Sequence, residues 1–333
     1  MIFNRPARQP CSPNTLHHYL HSPHKLLHLP KAATMSTKPL FEKDRPMHWV
    51  LDWDGTITKK DTLNALVSIS AAEKPNFPTM DHWKSASQAY MDDYAATLKQ
   101  LVPTGALPTT ITEEKQLLAR LKEVEQRSLD RVHSSAIFTN LTHQGIESGA
   151  SRVIESDQVQ LRTGFPSFFK HIQSRERDAF VMLSVNWSRH FIHSCLAASK
   201  ISVASHAVLS NELDGISAGL PSSGRIINAA SGEPDPIVSS GDKLQIFEQM
   251  QEVNGPKVYI GDSWTDIECL LAADLGICIR DDPMGSSQKI LADALTRLGV
   301  PCPKLRDRRQ HTERGIVWAR DFTEVLEWME NGL

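Results

Sequence analysis

Short apolar runs that stop abruptly at polar groups recur along the chain, and between them apolar residues fall at three- and four-residue spacing. The runs Trp49 to Leu51, Ala179 to Val185, Lys257 to Ile260, Leu275 to Ile279 and Ile316 to Ala319 are too short for helices and read as buried strands. From Asp61 to about Arg175 the period is helical. Trp83, Ala86, Tyr90, Tyr94, Leu98 and Leu101 form one stripe, and Leu117, Leu121, Val124, Ser128 and Val132 form another after a break from Pro103 to Pro108. Thr112-Glu113-Glu114-Lys115 reads as the polar start of that second helix. Further helices are expected from Arg189 to Ala198, from Gly241, after Asp266 and from Phe322 to Met329, with an irregular Gly/Ser/Pro loop over 224–240.

Strands alternating with helices predict an α/β fold, a doubly wound and mainly parallel sheet whose carboxyl ends share one rim. The helical stretch between the first and second strands is then an inserted cap. Residues 41–60 and 176–333 would form the core, 61–175 the all-helical cap, and 1–40 a tail.

Composition changes this picture mainly at the tail. It carries Arg5, Arg8, Lys25, Lys31 and Lys38 and no acidic residue before Glu42, so it reads as disordered or as a mitochondrial targeting segment. Pro6, Pro10, Pro13, Pro23 and Pro30 cut it too short for a good amphipathic helix, and Met35 would serve as an internal start. The histidines at 17, 18, 21, 24 and 28 have no acidic or cysteine partner and read as a solvated tract. Over the whole chain, 40% hydrophobic and 23% charged residues include no apolar run long enough to span a bilayer, and no membrane partner is expected. A net charge of −3 gives no electrostatic case for nucleic acid. Five scattered cysteines without a Cys-x-x-Cys pair read as reduced thiols, in a cytoplasmic setting with a mitochondrial one as the alternative.

The strand ends carry the chemistry. The first run ends in Asp52-Trp53-Asp54-Gly55-Thr56. Carboxylates spaced i, i+2 at a strand end can face one way, and Gly55 allows a sharp turn that brings the following amides and the Thr56 hydroxyl around a ligand. Crowded negative charge calls for a cation, and magnesium would bring a phosphate with it. An isolated Asp-Gly turn would be the plainer reading. The second strand ends in Ser184, Asn186 and Ser188 at a helix N-terminus, where free amides favour an anion; Ser184 could equally cap that turn. Lys243 stands at a helix start, poorly placed against the dipole, and so is expected to face a negative partner. The third segment ends in Gly261-Asp262-Ser263-Trp264-Thr265-Asp266.

Taken in order, Asp52-Trp53-Asp54-Gly55-Thr56, Ser184, Lys243 and Gly261-Asp262-Ser263-x-x-Asp266 resemble the four motifs of the haloacid dehalogenase-like hydrolases. The resemblance covers roughly residues 47–330 and is nearest the phosphoserine phosphatase-like branch, including methylthiopentenyl-phosphate phosphatase. Trp53 and Val185-Asn186-Trp187 depart from that branch. The resemblance implies a magnesium-dependent phosphatase acting on a small phosphorylated metabolite through an aspartyl phosphate. Asp52 would be the nucleophile and Asp54 the acid and base. Gly55, Thr56, Ser184, Asn186 and Lys243 would hold the phosphoryl group. Asp52, the Asp54 carbonyl and Asp262 would bind Mg2+, with Asp266 behind them. Asp61 would be either a substrate-facing acid at the cap entrance or the N-cap of the helix near Thr62. A non-catalytic phospholigand-binding or regulatory protein with the same fold is the alternative.

Overall fold

A computed structural model describes residues 40–42, 44–229, 235–250, 255–308 and 314–331. The elements run β1 (His48–Leu51), α1 (Leu63–Glu73), α2 (Thr79–Leu101), α3 (Ile111–Ser134), α4 (His143–Glu155), α5 (Phe165–Ser174), β2 (Ala179–Leu183), α6 (Arg189–Ala198), β3 (Val208–Leu209), β4 (Asn211–Leu213) and β5 (Ile226–Asn228). They continue with α7 (Ser240–Gln249), β6 (Lys257–Gly261), α8 (Ile267–Ala272), β7 (Leu275–Ile279), α9 (Ser286–Arg297), β8 (Gly315–Ala319) and α10 (Phe322–Asn331).

The expected α/β architecture is present. Among the described residues six parallel strands form one sheet in the order β3-β2-β1-β6-β7-β8. Their unbroken apolar runs follow from burial on both faces: Trp49, Val50 and Leu51 are all fully buried. Trp49 and Leu51 join the cluster with α5 and α10, whereas Val50 joins the one with α7, α8 and α9, as the two-residue period of a strand requires. The chain leaves β1 for β2 on one side and later returns through β6 on the other. The carboxyl ends of β1 and β6, paired at Leu51 and Ile260, therefore flank the point where the winding reverses, the usual crevice of such sheets.

The insertion is held to the core at its root and on two sides. At the root its two connections run together, with an antiparallel bridge between Thr58 and Leu161 and bonds from Lys59 N to Gln160 O (2.9 Å) and Arg162 N to Ile57 O (2.7 Å). On one side buried Glu114 of α3 accepts from Trp264 Nε1 (2.7 Å) and from Arg297 (2.8 and 2.9 Å), and Lys122 reaches Asp242 (2.6 Å). On the other, α4 packs along α6. Within the insertion α2 and α3 are clamped by Asp93, which accepts from Arg127 Nε (2.9 Å) and Nη2 (2.8 Å) and from Arg131.

The boundaries differ from expectation in four places. Helix α5, expected in the cap, packs against α10 and β1 through Phe165, Phe168, Phe322 and Trp49; an amphipathic stripe tells which face is buried, not which body buries it. The start of α3 is capped by Thr110, whose oxygen accepts from Glu113 N, not by Thr112. The loop over 224–240 contains β5, paired antiparallel with β4. Two-residue β3 escapes any periodicity test. The expectations for the tail, including the histidines and Cys11, fall outside the described residues. Cys195, Cys269, Cys278 and Cys302 are free thiols. Among the described residues no helix is long and apolar enough to cross a membrane.

Candidate active site

After β1 the backbone turns at Gly55, with φ of 75°. A Cβ there would lie 2.4 Å from Asp262 Oδ2, so glycine is needed both for the conformation and for the close approach of the two strand ends. The return connection fixes this turn from below. Arg162, buried, donates from Nε to Thr56 O (2.9 Å) and from Nη2 to Gly55 O (2.6 Å), and its Nη1 pairs with Asp281 (2.5 Å).

Asp52, Asp262, Asp266 and Lys243 converge under the turn. Lys243, fully buried, donates from Nζ to Asp52 Oδ1 (2.7 Å) and Asp266 Oδ1 (2.7 Å). It stands in the first turn of α7, whose start carries a reciprocal cap between Ser239 and Asp242. The negative partner that its unfavourable position at a helix start called for is this carboxylate pair. Burial works against the ammonium charge, but Asp266 and Asp52 outweigh it and hold the lysine protonated. One ammonium does not neutralise three carboxylates. Burial drives Asp52 up to about 7 despite Lys243, with Asp266 and Asp54 adding to the rise. Burial, then Asp266 and Asp52, push Asp262 well above the usual carboxylate range.

Asp266 is saturated by the protein. Its Oδ1 also accepts from Tyr259 Oη (2.8 Å), and its Oδ2 accepts from Asp262 N, Ser263 N and Ser263 Oγ (3.0 to 3.2 Å). Asp262 accepts from Thr56 Oγ1 (3.3 Å) and Ser287 Oγ (3.0 Å). Asp52, Asp262 and Asp266 each offer a carboxylate oxygen within 4.8 Å of the others. An excess of buried negative charge on oxygen donors, with the space beside Asp262 kept clear by a glycine, fits a hard divalent cation such as Mg2+.

Asp54 points to the cap. Its Oδ1 accepts from Thr62 N (2.7 Å) and Thr62 Oγ1 (2.6 Å), and its Oδ2 accepts from Asn186 Nδ2 (2.8 Å). Burial and the negative charge of Asp61 nevertheless raise it to about 7, against those bonds. Asp54 can therefore hold or release a proton near neutrality.

Asp52, Asp54, Gly55, Asp61, Asn186 and Asp262 line one cavity of about 470 Å3 between core and cap, roofed by Leu63, Asn64, Glu125 and Leu129. Thr56, Ser184, Lys243 and Asp266 lie buried behind that wall. Ser184 Oγ accepts from Asn186 N (3.1 Å), while Ser188 caps α6 through Phe191 N (3.0 Å), so the capping role falls to Ser188. The amide of Asn186 is directed at Asp54, so this side chain orients a carboxyl group instead of presenting its Nδ2 to a phosphate. The N-cap of α1 is Thr62, not Asp61; Asp61 stands one residue before it, accepts from Leu63 N (2.8 Å) and lines the cavity. Arg162, Tyr259 and Ser287 carried no signal in the sequence, because each acts through a partner that only the fold supplies.

The sheet order and the insertion after β1 agree with the fold expected from the four motifs. No family profile matches the chain. Among solved structures, the phospho-aspartyl intermediate analogue of phosphoserine phosphatase is similar with a TM-score of 0.48 and 14% identity, over 85% of this chain and 99% of that one. Among sequences, Cold tolerance protein 1 of Saccharomyces cerevisiae is 24% identical over 294 residues, 81% of this chain and 89% of the relative. A CTO1 family protein of Schizosaccharomyces pombe is 30% identical over 250 residues, 71% of this chain and 82% of the relative. At that identity and coverage, the chain belongs to the CTO1 family.

Proposed function

We propose that the chain is a phosphatase that hydrolyses a small phosphomonoester, with Mg2+, through an aspartyl phosphate on Asp52. The observation that carries this reading is the pairing of two aspartates with opposite surroundings on one cavity wall. Asp52 is tied to a buried ammonium at 2.7 Å, whereas Asp54 is tied to the neutral donors Thr62 and Asn186.

Mg2+, held by Asp52, Asp262 and the Asp54 carbonyl, would neutralise charge on the phosphoryl oxygens. An oxygen of Asp52 attacks phosphorus while the bond from phosphorus to the ester oxygen breaks, and Asp54 gives its proton to the departing oxygen. Water then attacks the aspartyl phosphate, Asp54 takes the proton, and phosphate leaves with the Asp52 carboxylate restored. Lys243 offsets charge on Asp52 throughout. Thr62 and Asn186 keep the Asp54 carboxyl aimed at the ester oxygen. A cavity of about 470 Å3 suits a small metabolite, within the few hundred Å3 usual for such ligands.

The test separates the two aspartates. Asp52→Asn should abolish hydrolysis of every ester. Asp54→Asn should slow an alkyl phosphate by ~10²–10⁴-fold, yet release a burst of one equivalent of phenol from an aryl phosphate, whose leaving group needs little protonation. Phosphate label should then remain on the denatured chain. Absence of any magnesium-dependent turnover across a metabolite-phosphate panel, with no burst from Asp54→Asn, would overturn the reading.

A further inference from the structure

Away from the carboxylate centre, His143 and Glu147 of α4 and His190 of α6 bring three metal-ligating side chains to one spot. The two residues of α4 stand four apart on one helix face, and α6 lies against that helix. Glu147 Oε1 is 3.6 Å from His143 Nδ1 and 3.9 Å from His190 Nε2. One ligand atom from each of the three residues lies within 4.8 Å of the others. The carboxylate–imidazole separations are too long for hydrogen bonds. They are close to the ~3.3 Å that separates neighbouring ligand atoms around a tetrahedral ion with bonds of ~2.0–2.1 Å.

An ordinary ion pair accounts for this arrangement poorly. It needs a protonated imidazole, and at 3.6 and 3.9 Å the two pairs lie within ion-pair range but make no hydrogen bond. The rings stack at 3.5 Å between centroids with 28° between planes, which two imidazolium ions would resist. The His190 side chain is mostly buried, at 16% exposed. Nε2 of His190 does lie 3.3 Å from the His143 carbonyl oxygen, a long contact that coordination would replace.

The ligand-bearing turns are fixed. His190 N donates to buried Glu212 (2.8 Å), and Thr142 caps the start of α4 through Gly145 N (3.0 Å). Both histidines sit in first turns, where the helix dipole opposes a cation; the Glu147 charge answers that. We propose that His143, Glu147 and His190 form a site for a transition-metal ion of the zinc class that links α4 of the cap to α6 of the core. Two nitrogen donors and one oxygen favour such an ion over the hard Mg2+ expected at the carboxylate centre. With His143 and Glu147 about half exposed, at 47% and 54%, a fourth position stays open to water.

The test uses the full chain in excess magnesium, and any zinc that the carboxylate centre still takes is common to the proteins compared. Equilibrium dialysis with metal analysis, and thermal unfolding with and without zinc, compare the wild type with Glu147→Gln and with His143→Ala/His190→Ala. The histidines at 17, 18, 21, 24 and 28 are the same in all three proteins, so their contribution cancels. The wild type should hold one more equivalent of zinc than the double variant, and zinc should raise its unfolding temperature alone. Glu147→Gln should weaken that equivalent by about tenfold or more, no less than loss of an outer-shell partner usually costs. Equal stoichiometry and an equal zinc shift in wild type and double variant would overturn the proposal. If the double variant does not fold, the exposed Glu147→Gln decides: unchanged zinc affinity would overturn the site.

Discussion

Replacing Lys243 by Met tests whether the carboxylate centre is a charge balance. Methionine reaches about as far, so the void left is small and the change is mainly one of charge. Lys243 Nζ makes two contacts of 2.7 Å, to Asp52 and Asp266, inside a fully buried site. Removing one partner of a buried ionic cluster costs ~3–5 kcal/mol, because the charges left behind are uncompensated. The pH dependence gives the mechanism away. Asp52 already sits at about 7 through burial, above the ~3.9 of an unfolded chain. A carboxylate whose folded pKa is raised costs nothing below the unfolded value, and its cost grows as pH rises toward the folded one. Without the ammonium the folded pKa moves higher still, so the two proteins should diverge most above pH 7 and converge toward pH 5, where Asp52 is protonated in both. Urea unfolding in EDTA at pH 5.5 and 8.5, followed by tryptophan fluorescence, measures this. Equal stability at pH 8.5, or a larger deficit at pH 5.5, would refute the reasoning.

Three further outcomes are expected. Gly55→Ala and Gly105→Ala both force a side chain into the left-handed region, at φ of 75° and 77°, a strain of ~1–2 kcal/mol; only the first also collides with Asp262, so it should cost more in melting temperature and abolish turnover, and equal costs would count against the close approach. Arg162→Met leaves the Gly55 and Thr56 carbonyls without their buried donor, at ~1–3 kcal/mol each, and should lower kcat more than it raises KM; a pure KM effect would remove Arg162 from the positioning of the turn. Bonds from Arg127, with help from Arg131, hold Asp93 at about 2; this is worth about 1 kcal/mol after discounting for the exposure of the arginines, present above pH ~4 and lost as pH falls toward 2. Asp93→Asn should therefore melt lower than wild type at pH 6 and alike at pH 2, and a gap that persists at pH 2 would exclude the charge as its cause.

What was legible in the sequence was local. Asp52, Asp54 and Gly55 announce themselves because a strand end, a carboxylate pair and a turn residue are adjacent, and Lys243 because a cation at a helix start is out of place. The partners that set their chemistry were not legible. Asn186 lies 132 positions from the Asp54 it orients, and Arg162 lies 107 from the Gly55 carbonyl it holds. The helical span read from Asp61 to about Arg175 took in α5 but could not name the surface that helix covers. The three residues of each strand in the β4–β5 pair are fewer than an alternation needs to show itself.

The paired connections at the root of the insertion change what the insertion costs. Closing a long excursion is expensive in chain entropy only when its ends must be brought together. Here the bridge between Thr58 and Leu161 pins both ends side by side on the core. For the core, the whole excursion is then thermodynamically close to a hairpin turn. Such an excursion can lengthen, shorten or be exchanged while the sheet beneath keeps its stability, which lets the roof of the cavity change without disturbing the floor. The graft point follows from the same contacts. A transplant that replaces the chain up to Leu161 and keeps Arg162 retains the guanidinium that holds the Gly55 turn, whereas one cut one residue later removes it.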